Sequence, residues 1–498
     1  MNKFSETFTR FMNKTIKSLL FFVLIGSLGI MVANIIGFSK STIVYLIVSG
    51  ISIFMGYRIF KLNIPTRKRL LLILIMGFML RILWLLNMPS VPSSDFKLIY
   101  DSSIKFLKGD TSMFRGTAYI ARFPHLTMMV LYTALINFLF PLKSLLVIKI
   151  INLLFGLVDI ILLYLLGDII FKNKKYAQFV AFIAAIFPPF ITYTSVLCTE
   201  NIAIPFYLLS MYIFIHYSRN KKSKFQLLIC GIILSVGNLF RTTAMVVLIA
   251  YVIYIGIYFL DSIYEKLKDI VILVTSYLLI MIIVSTTLQS LNITERQLWN
   301  AREPKITSTL KGSNYKAFGR WNEEDAKFIE EHINNYDELQ EKSKEIILDR
   351  FRSNSVFKTI IFLLGKFTLQ WSVGDFEGYV WAQMDVPEDQ IKFPIKKEGT
   401  LAIQLIYTLI MLLVFIGLSN KNLITKIKEV NLFYLILGGY GIAYLFVEEQ
   451  GRYGYICCYV LIFLSIFGID KMVTKFNYNL NTKCIDTKYD MQTVKTLN

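Results

Sequence analysis

Apolar runs of about twenty residues recur along this chain, each closed by a cluster of Lys or Arg. At 1.5 Å per residue such a run matches the ~30 Å hydrocarbon core of a bilayer. The runs are continuous rather than alternating, which selects helices over the strands of a membrane barrel. Spans are predicted at 18–38, 42–60, 70–87, 145–170, 177–193, 202–217, 225–240, 243–260, 269–288, 402–419, 431–447 and 454–470. The fold class is therefore an all-α polytopic membrane protein with about twelve transmembrane helices. The first run lacks a small-residue cleavage pattern and reads as a retained span.

Two further apolar runs, 124–141 and 356–374, do not fit a crossing. If 124–141 crossed, the basic stretch FKNKK (171–175) would fall outside, against the positive-inside rule. Laid along the outer interface instead, it leaves SRNKKSK (218–224), the Lys266/Lys268 loop and KNLITKIK (421–428) all inside. The same reasoning lays 356–374 along the outer interface. Both termini are then cytoplasmic, and the outer face collects the loop 88–144 and the long segment 289–400. That segment holds 18 of the 34 carboxylates, with Asn322 placed to cap an acidic, amphipathic helix, so it reads as a small external helical subdomain. The organisation is an N-terminal segment 1–69 with an additional hairpin, a transmembrane core 70–288 containing the outer loop 88–144, the external subdomain 289–400, C-terminal helices 401–470 and a polar cytoplasmic tail 471–498.

Composition agrees and narrows the function. Hydrophobic residues make up 55% of the 498 and charged ones 17%. The net charge of +19 would suggest nucleic acid in a soluble protein; here it lies in short loops as a topology signal, so no nucleic-acid partner is expected. Five cysteines (198, 230, 457, 458 and 484) show neither metal spacing nor a disulfide framework. No nucleotide, zinc-protease or serine-hydrolase motif occurs.

The chemistry must then lie in the polar residues at the outer boundary: Asp95, Asp101, Arg122, His125, Glu200, Arg241, Lys366, Glu448, Glu449 and Arg452. Asp95 opens an amphipathic helix, DFKLIYDSSIKFLKG. Phe96, Tyr100, Ile104 and Leu107 form one stripe, Lys97, Asp101 and Lys105 another, and Gly109 sits at the stop. The structural alternative for Asp95 is a helix cap, a role Ser93 or Ser94 could also fill. Arginines are unusual on the outer side, and their planar forks suit phosphate. For any one of them, snorkelling or pairing with Glu448 or Glu449 is the commoner outcome; three together favour a site. Glu200, at the start of a span, equally suits a helix N-terminus.

Several of these fragments resemble, in order, the motifs of the GT-C superfamily of integral-membrane glycosyltransferases, which includes the protein O-mannosyltransferases and the aminoarabinose transferase (glycosyltransferase family 39-like). They are SSDFKLIYDSSIKFLKG, ARFPHLTMMVLYTALINFLF, TSVLCTENIAIPFYLLSMYIF, GIILSVGNLFRTTAMVVLIAYV and EEQGRYGYICCYVLIFLSIFGI. The resemblance covers roughly 70–470. Phe96 stands where the family often has a second carboxylate, Phe123-Pro-His replaces paired prolines, and Cys457-Cys458 replaces a common proline. The resemblance implies a transferase that moves a sugar from a polyprenyl-phosphate donor to an acceptor hydroxyl at the outer face of a bacterial plasma membrane. The acceptor is a protein, a cell-wall polymer or a lipid glycan. Carried over, Asp95 is the general base, and Arg122, Arg241, Arg452 and more weakly Lys366 hold the donor phosphate. Tyr100, Asp101, His125 and Glu200 line the cavity. No metal or other cofactor is expected, since no carboxylate cluster is evident. The rival classes are a polymerase or ligase acting on lipid-linked glycans, and a lipid-linked glycan transporter or flippase. The latter would place charges and helix breaks at mid-membrane, whereas the one evident break, Phe187-Pro-Pro-Phe, lies towards the outer end of its span.

Overall fold

A helix stands at every predicted span in the computed structural model: Lys3–Ile35, Lys40–Lys61, Thr66–Asn87, Ser144–Phe171, Lys174–Ile186, Glu200–Asn220, Phe225–Phe240, Ala244–Tyr258, Ile263–Ser290, Leu401–Gly417, Val430–Phe446 and Tyr459–Lys475. The structure describes residues 3–35, 39–221, 223–395, 400–420 and 426–475, and among these there is no strand. Most of the predicted tail lies outside the described residues. Five helices are long and apolar enough to cross a bilayer, seven if two bent pairs each count as one span. The chain is an all-helical membrane protein. Several remaining helices are only 15–17 residues, shorter than the ~20 a perpendicular crossing needs. Hydropathy alone therefore counts more spans than helix length supports.

The N-terminal hairpin is built into the bundle. Down the first helix, Lys17 bonds Ser419 Oγ at 2.7 Å, Ser27 Oγ pairs with Thr408 Oγ1 at 2.7 Å, and the Asn34 amide donates to Thr400 Oγ1 at 2.6 Å. This polar ladder sets an antiparallel register against Leu401–Gly417, as polar side chains do between helices in lipid.

The span predicted at 177–193 is broken. Lys174–Ile186 ends at Phe187, and Pro188–Ser195 departs at 56°. Pro189 has no N–H to offer, so the Ala185 carbonyl loses its helical partner. Arg81, fully buried on Thr66–Asn87, donates Nη1 to that carbonyl at 3.4 Å and to Gly77 O at 3.0 Å. Beyond the break, Trp84 Nε1 donates to Thr192 O at 2.9 Å and Asn152 Nδ2 to Val196 O at 3.1 Å. A second bend, 65°, separates the 3-10 turn Gly451–Cys457 from the last helix.

Three further segments complete the Asp95 end. Ser94–Leu107 buries Phe96, Ile99 and Ser103, while Leu107 is exposed. The buried stripe is thus rotated from the one predicted through Tyr100 and Leu107, because the helix packs on Thr127–Leu139 as well as facing the site. Gly109 terminates it at φ +84°, as its sequence position suggests. The C-terminal end of Val356–Ser372 packs between the first helix and Leu401–Gly417: Ser372 Oγ reaches Val23 O at 3.3 Å and Tyr407 OH bonds Trp371 O. The helices between 306 and 352 have their own small core of Leu310, Ile329, Ile333 and Leu339. Asn322 caps its helix by accepting from Asp325 N at 2.9 Å.

Candidate active site

Ser93, not Asp95, holds the cap position of Ser94–Leu107, and no side chain bonds the free amides there. The Asp95 carboxylate is about a third exposed and turns instead towards Arg452, at 3.9 Å. Tyr119 lies beside it. Burial first, and then the neighbouring Asp95 carboxylate, holds that phenol above its ordinary pKa, so it stays a neutral donor.

Arg452 comes from the 3-10 turn Gly451–Cys457 and is buried. Its guanidinium sits 4.7 Å from the Trp381 ring centroid and 5.0 Å from that of Phe96, a cation–π seat that fixes the plane of the fork. Glu200, the first residue of Glu200–Asn220 and almost fully buried, lies within electrostatic reach of Arg452. Glu200 also pairs with Arg241 at 3.4 Å and accepts from Thr199 Oγ1 at 3.0 Å. Arg241 leans on the Tyr453 ring at 5.1 Å. The result is an alternating row, Asp95–Arg452–Glu200–Arg241, drawn from four distant parts of the sequence.

The row is incompletely satisfied. Arg452 Nε and Nη1 and Arg241 Nε are buried with no hydrogen-bond partner in the protein. A buried guanidinium with free N–H groups is costly unless something anionic or polar completes it.

The wall behind Arg452 is the turn at 375–378. Phe376 and Glu377 both adopt left-handed backbone (φ 54° and 65°), a strained pair for non-glycine residues. The Arg452 turn seats against them through glycines: a Cβ on Gly451 would come within 2.9 Å of the Glu377 side chain, and one on Gly454 within 2.6 Å of Phe376. Tyr193, on the arm beyond the Pro break, donates to Phe376 O at 2.6 Å and stacks on Tyr455 at 4.1 Å. Asp375, fully buried, accepts from Tyr379 N at 2.8 Å, and burial pushes its carboxyl up to about 7. Sequence reasoning did not single out Tyr119, Phe376, Glu377 or Trp381. The one available signal was the pair of glycines bracketing Arg452 in QGRYGY, which marks a close backbone approach.

The other candidates are employed elsewhere. Arg122 is ion-paired with Glu303 at 2.8 Å and Glu330 at 2.7 Å, joining the 88–144 segment to the helices between 306 and 352. Lys366 donates to the carbonyls of Gly312, Leu445 and Val447 at 2.7–2.8 Å, which uses all its protons. Tyr100 bonds Ser144 at 2.9 Å and Asp101 is exposed. His125 lies near Arg241; burial first, then Arg241 and Lys305, pushes it down to about 4, so it is neutral. Glu448 pairs with Lys311 at 3.4 Å and Glu449 with Arg320 at 2.7 Å. Lys97, Asp101 and Lys105 form no ion pair among the described residues. Nor is there, among the described residues, a group of three or more His, Cys, Asp or Glu able to hold a metal.

Fold and site together define an all-helical membrane protein in which a largely buried row alternates carboxylate and guanidinium groups. Residues 125–289, which carry His125, Glu200 and Arg241, match the family described as dolichyl-phosphate-mannose-protein mannosyltransferase. Among solved structures, the chain is similar to the oligosaccharyltransferase of Archaeoglobus fulgidus in its apo form, at 13% identity and a TM-score of 0.48, over 84% of this chain and 52% of that one. It is also similar to that organism's oligosaccharyltransferase AglB in complex with an inhibitory peptide and a dolichol-phosphate, at 14% identity and a TM-score of 0.41, over 84% of this chain and 52% of that one. The chain thus spans about half the length of these proteins. No curated protein matches it in sequence.

Proposed function

We propose that the chain transfers a sugar from a polyprenyl-phosphate donor to an acceptor hydroxyl at the outer face of the membrane, by single displacement with inversion. The acceptor oxygen attacks the anomeric carbon while its proton passes to the Asp95 carboxylate. The bond from that carbon to the phosphate oxygen breaks, and the lipid phosphate leaves with the electron pair. It needs no proton, only neutralisation of its second negative charge, which Arg452 and Arg241 supply. Glu200 holds both guanidinium groups in place and keeps the empty site near electrical neutrality. Arg122 and Lys366 take no part: each Arg122 nitrogen already meets a carboxylate, and all three Lys366 protons go to backbone carbonyls. The outward-facing site and the two cytoplasmic termini rest on the charge pattern of the loops, and the bacterial plasma membrane on the family resemblance.

The observation that carries this reading is Arg452: a buried guanidinium with two unpartnered nitrogens, beside a solvent-accessible carboxylate. The family matched by 125–289 is described as acting with dolichyl-phosphate-mannose, a donor of this class. The test is Asp95→Asn in purified protein supplied with a polyprenyl-phosphate sugar and a panel of acceptors. Transfer should fall by roughly 10²–10⁴ with donor binding retained. A variant as fast as wild type would remove the base from the mechanism.

A further inference from the structure

Three tyrosines crowd the Arg241 end of the row, and two of them are spent on its backbone. Tyr207 OH donates to the Arg241 carbonyl, and Tyr440 OH donates to that of Thr243 at 3.0 Å. One turn beyond Tyr440, on Val430–Phe446, stands Tyr444, its ring centroid 5.7 Å from that of Tyr440. Tyr444 is only 7% exposed, yet its hydroxyl has no hydrogen-bond partner among the described residues. Packing alone does not explain that hydroxyl. An unpaired buried O–H is a cost to the fold, and a phenylalanine would fill the same space without it.

The neighbours of Tyr444 are those of the charged row. Its ring packs on Tyr453 at 5.9 Å, and Tyr453 in turn meets both guanidinium groups, Arg241 at 5.1 Å and Arg452 at 5.8 Å. Tyr444 also lies within electrostatic reach of Arg241 and Glu200. Four buried groups are thus left over around Tyr453: Arg452 Nε and Nη1, Arg241 Nε and the Tyr444 hydroxyl, all able to donate. Glu200 Oε1, the carboxylate oxygen left over beside them, already faces Arg241 at 3.4 Å. What completes such a set must bring several lone pairs and negative charge together. A phosphate does; a neutral sugar hydroxyl or an alkyl chain does not.

We propose that the Tyr444 hydroxyl is a further hydrogen-bond donor to the phosphate of the lipid-linked sugar, alongside Arg452 and Arg241, an assignment that rests on the sugar-transfer reading above. Its bond to the phosphate oxygen strengthens as the leaving group takes up its second negative charge, so Tyr444 serves departure as well as binding. Being neutral, it adds a donor without adding to the charge that Glu200 balances in the empty site.

The test uses the full chain in phosphatidylcholine nanodiscs with two probes, farnesyl monophosphate and farnesol, titrated by calorimetry. Tyr444→Phe should weaken the monophosphate by about tenfold or more, the worth of a hydrogen bond to a charged group, and leave farnesol unchanged. It should melt no lower than wild type. Tyr440→Phe loses a hydroxyl that has a partner and should do the reverse: melt lower and bind the monophosphate as wild type does. In transfer assays Tyr444→Phe should lower kcat/KM for the donor by about tenfold or more and leave the acceptor KM unchanged. Wild-type monophosphate affinity in Tyr444→Phe would give the hydroxyl to water and overturn the proposal. A lower melting temperature or a failure to fold would reveal a partner inside the protein and overturn it too. An equal loss of affinity in Tyr440→Phe would trace binding to packing, with the same consequence. Displacement of the monophosphate by phosphatidylglycerol added to the disc would give the pocket to bilayer headgroups and likewise overturn it. Binding needs no catalysis: Tyr444-dependent binding in a protein that transfers nothing would sink the sugar-transfer reading alone.

Discussion

Arg452→Lys isolates the geometry of the fork from its charge. Removing the cation altogether would leave the almost fully buried Glu200 with Arg241 alone, and stripping one partner from a buried charge set costs about 3–5 kcal/mol of folding energy. Lysine keeps the charge, so the fold should lose only the ring-seated part of the contact with Trp381 and Phe96, about 1–2 kcal/mol. What lysine cannot keep is the pair of free nitrogens, Nε and Nη1, held in plane by those rings. Losing one preorganised donor to a developing charge lowers kcat by about 10²–10³, or about 3–4 kcal/mol. The measurement is radiolabelled sugar transfer from a polyprenyl-phosphate donor, with a melting curve on the same preparation. We expect a melting shift of a few degrees and a fall of two to three orders of magnitude in kcat. A Lys variant that folds as wild type and transfers sugar within about threefold of it would show that the phosphate does not meet Arg452.

The remaining expectations concern groups that surround the row. Asp375 has a folded-state pKa near 7 against an ordinary value of 3.8, so the native state binds the extra proton between these values. Its contribution is complete below pH ~4 and is lost as pH rises to ~7, about 4 kcal/mol in all. Asp375→Asn, whose amide oxygen can still accept from Tyr379 N, should abolish that part of the pH dependence of the melting temperature; an unchanged dependence would assign it to another group. Lys366→Met should destabilise the protein by about 2–4 kcal/mol, since three buried carbonyls lose their donor, without raising the donor KM. A specific rise in donor KM would return Lys366 to the phosphate site. Arg122→Gln should loosen the helices between 306 and 352, read as faster proteolysis within 303–352, while donor KM stays unchanged. Equal protease resistance would show that the Glu303 and Glu330 pairs are not its tether.

Much of the bundle was legible because lipid imposes a simple requirement: every backbone group in the core must be satisfied within its own helix. Helix positions could therefore be read from apolar length alone, and they are where the runs place them. What the runs could not show is where a helix stops satisfying itself. The break at Phe187 leaves the Ala185 carbonyl without its partner, and the donor that serves it is Arg81, one charged residue inside MLRILWLLN on another helix. Likewise the C-terminal end of Val356–Ser372 is held by Val23 and Tyr407, from the first and tenth predicted spans. Apolar content along 356–374 is the same whichever helices it packs on.

The site divides along a different line. Arg122, Arg241, Lys366 and Arg452 look alike in sequence: each is a cation beside an apolar run at the same predicted boundary. The structure separates them by counting donors. All three Lys366 protons go to carbonyls, and Nε, Nη1 and Nη2 of Arg122 all meet carboxylates. Arg452 meets Asp95 through Nη2 alone, at a distance too long for a hydrogen bond, and keeps two nitrogens free. A cation can serve a substrate only with the hydrogen bonds its own protein leaves over, and that remainder is fixed by partners far away in the chain. Composition places a charge at the membrane boundary; only the glycines around Arg452, which let the turn close on Phe376 and Glu377, hint in the sequence at which one is held ready.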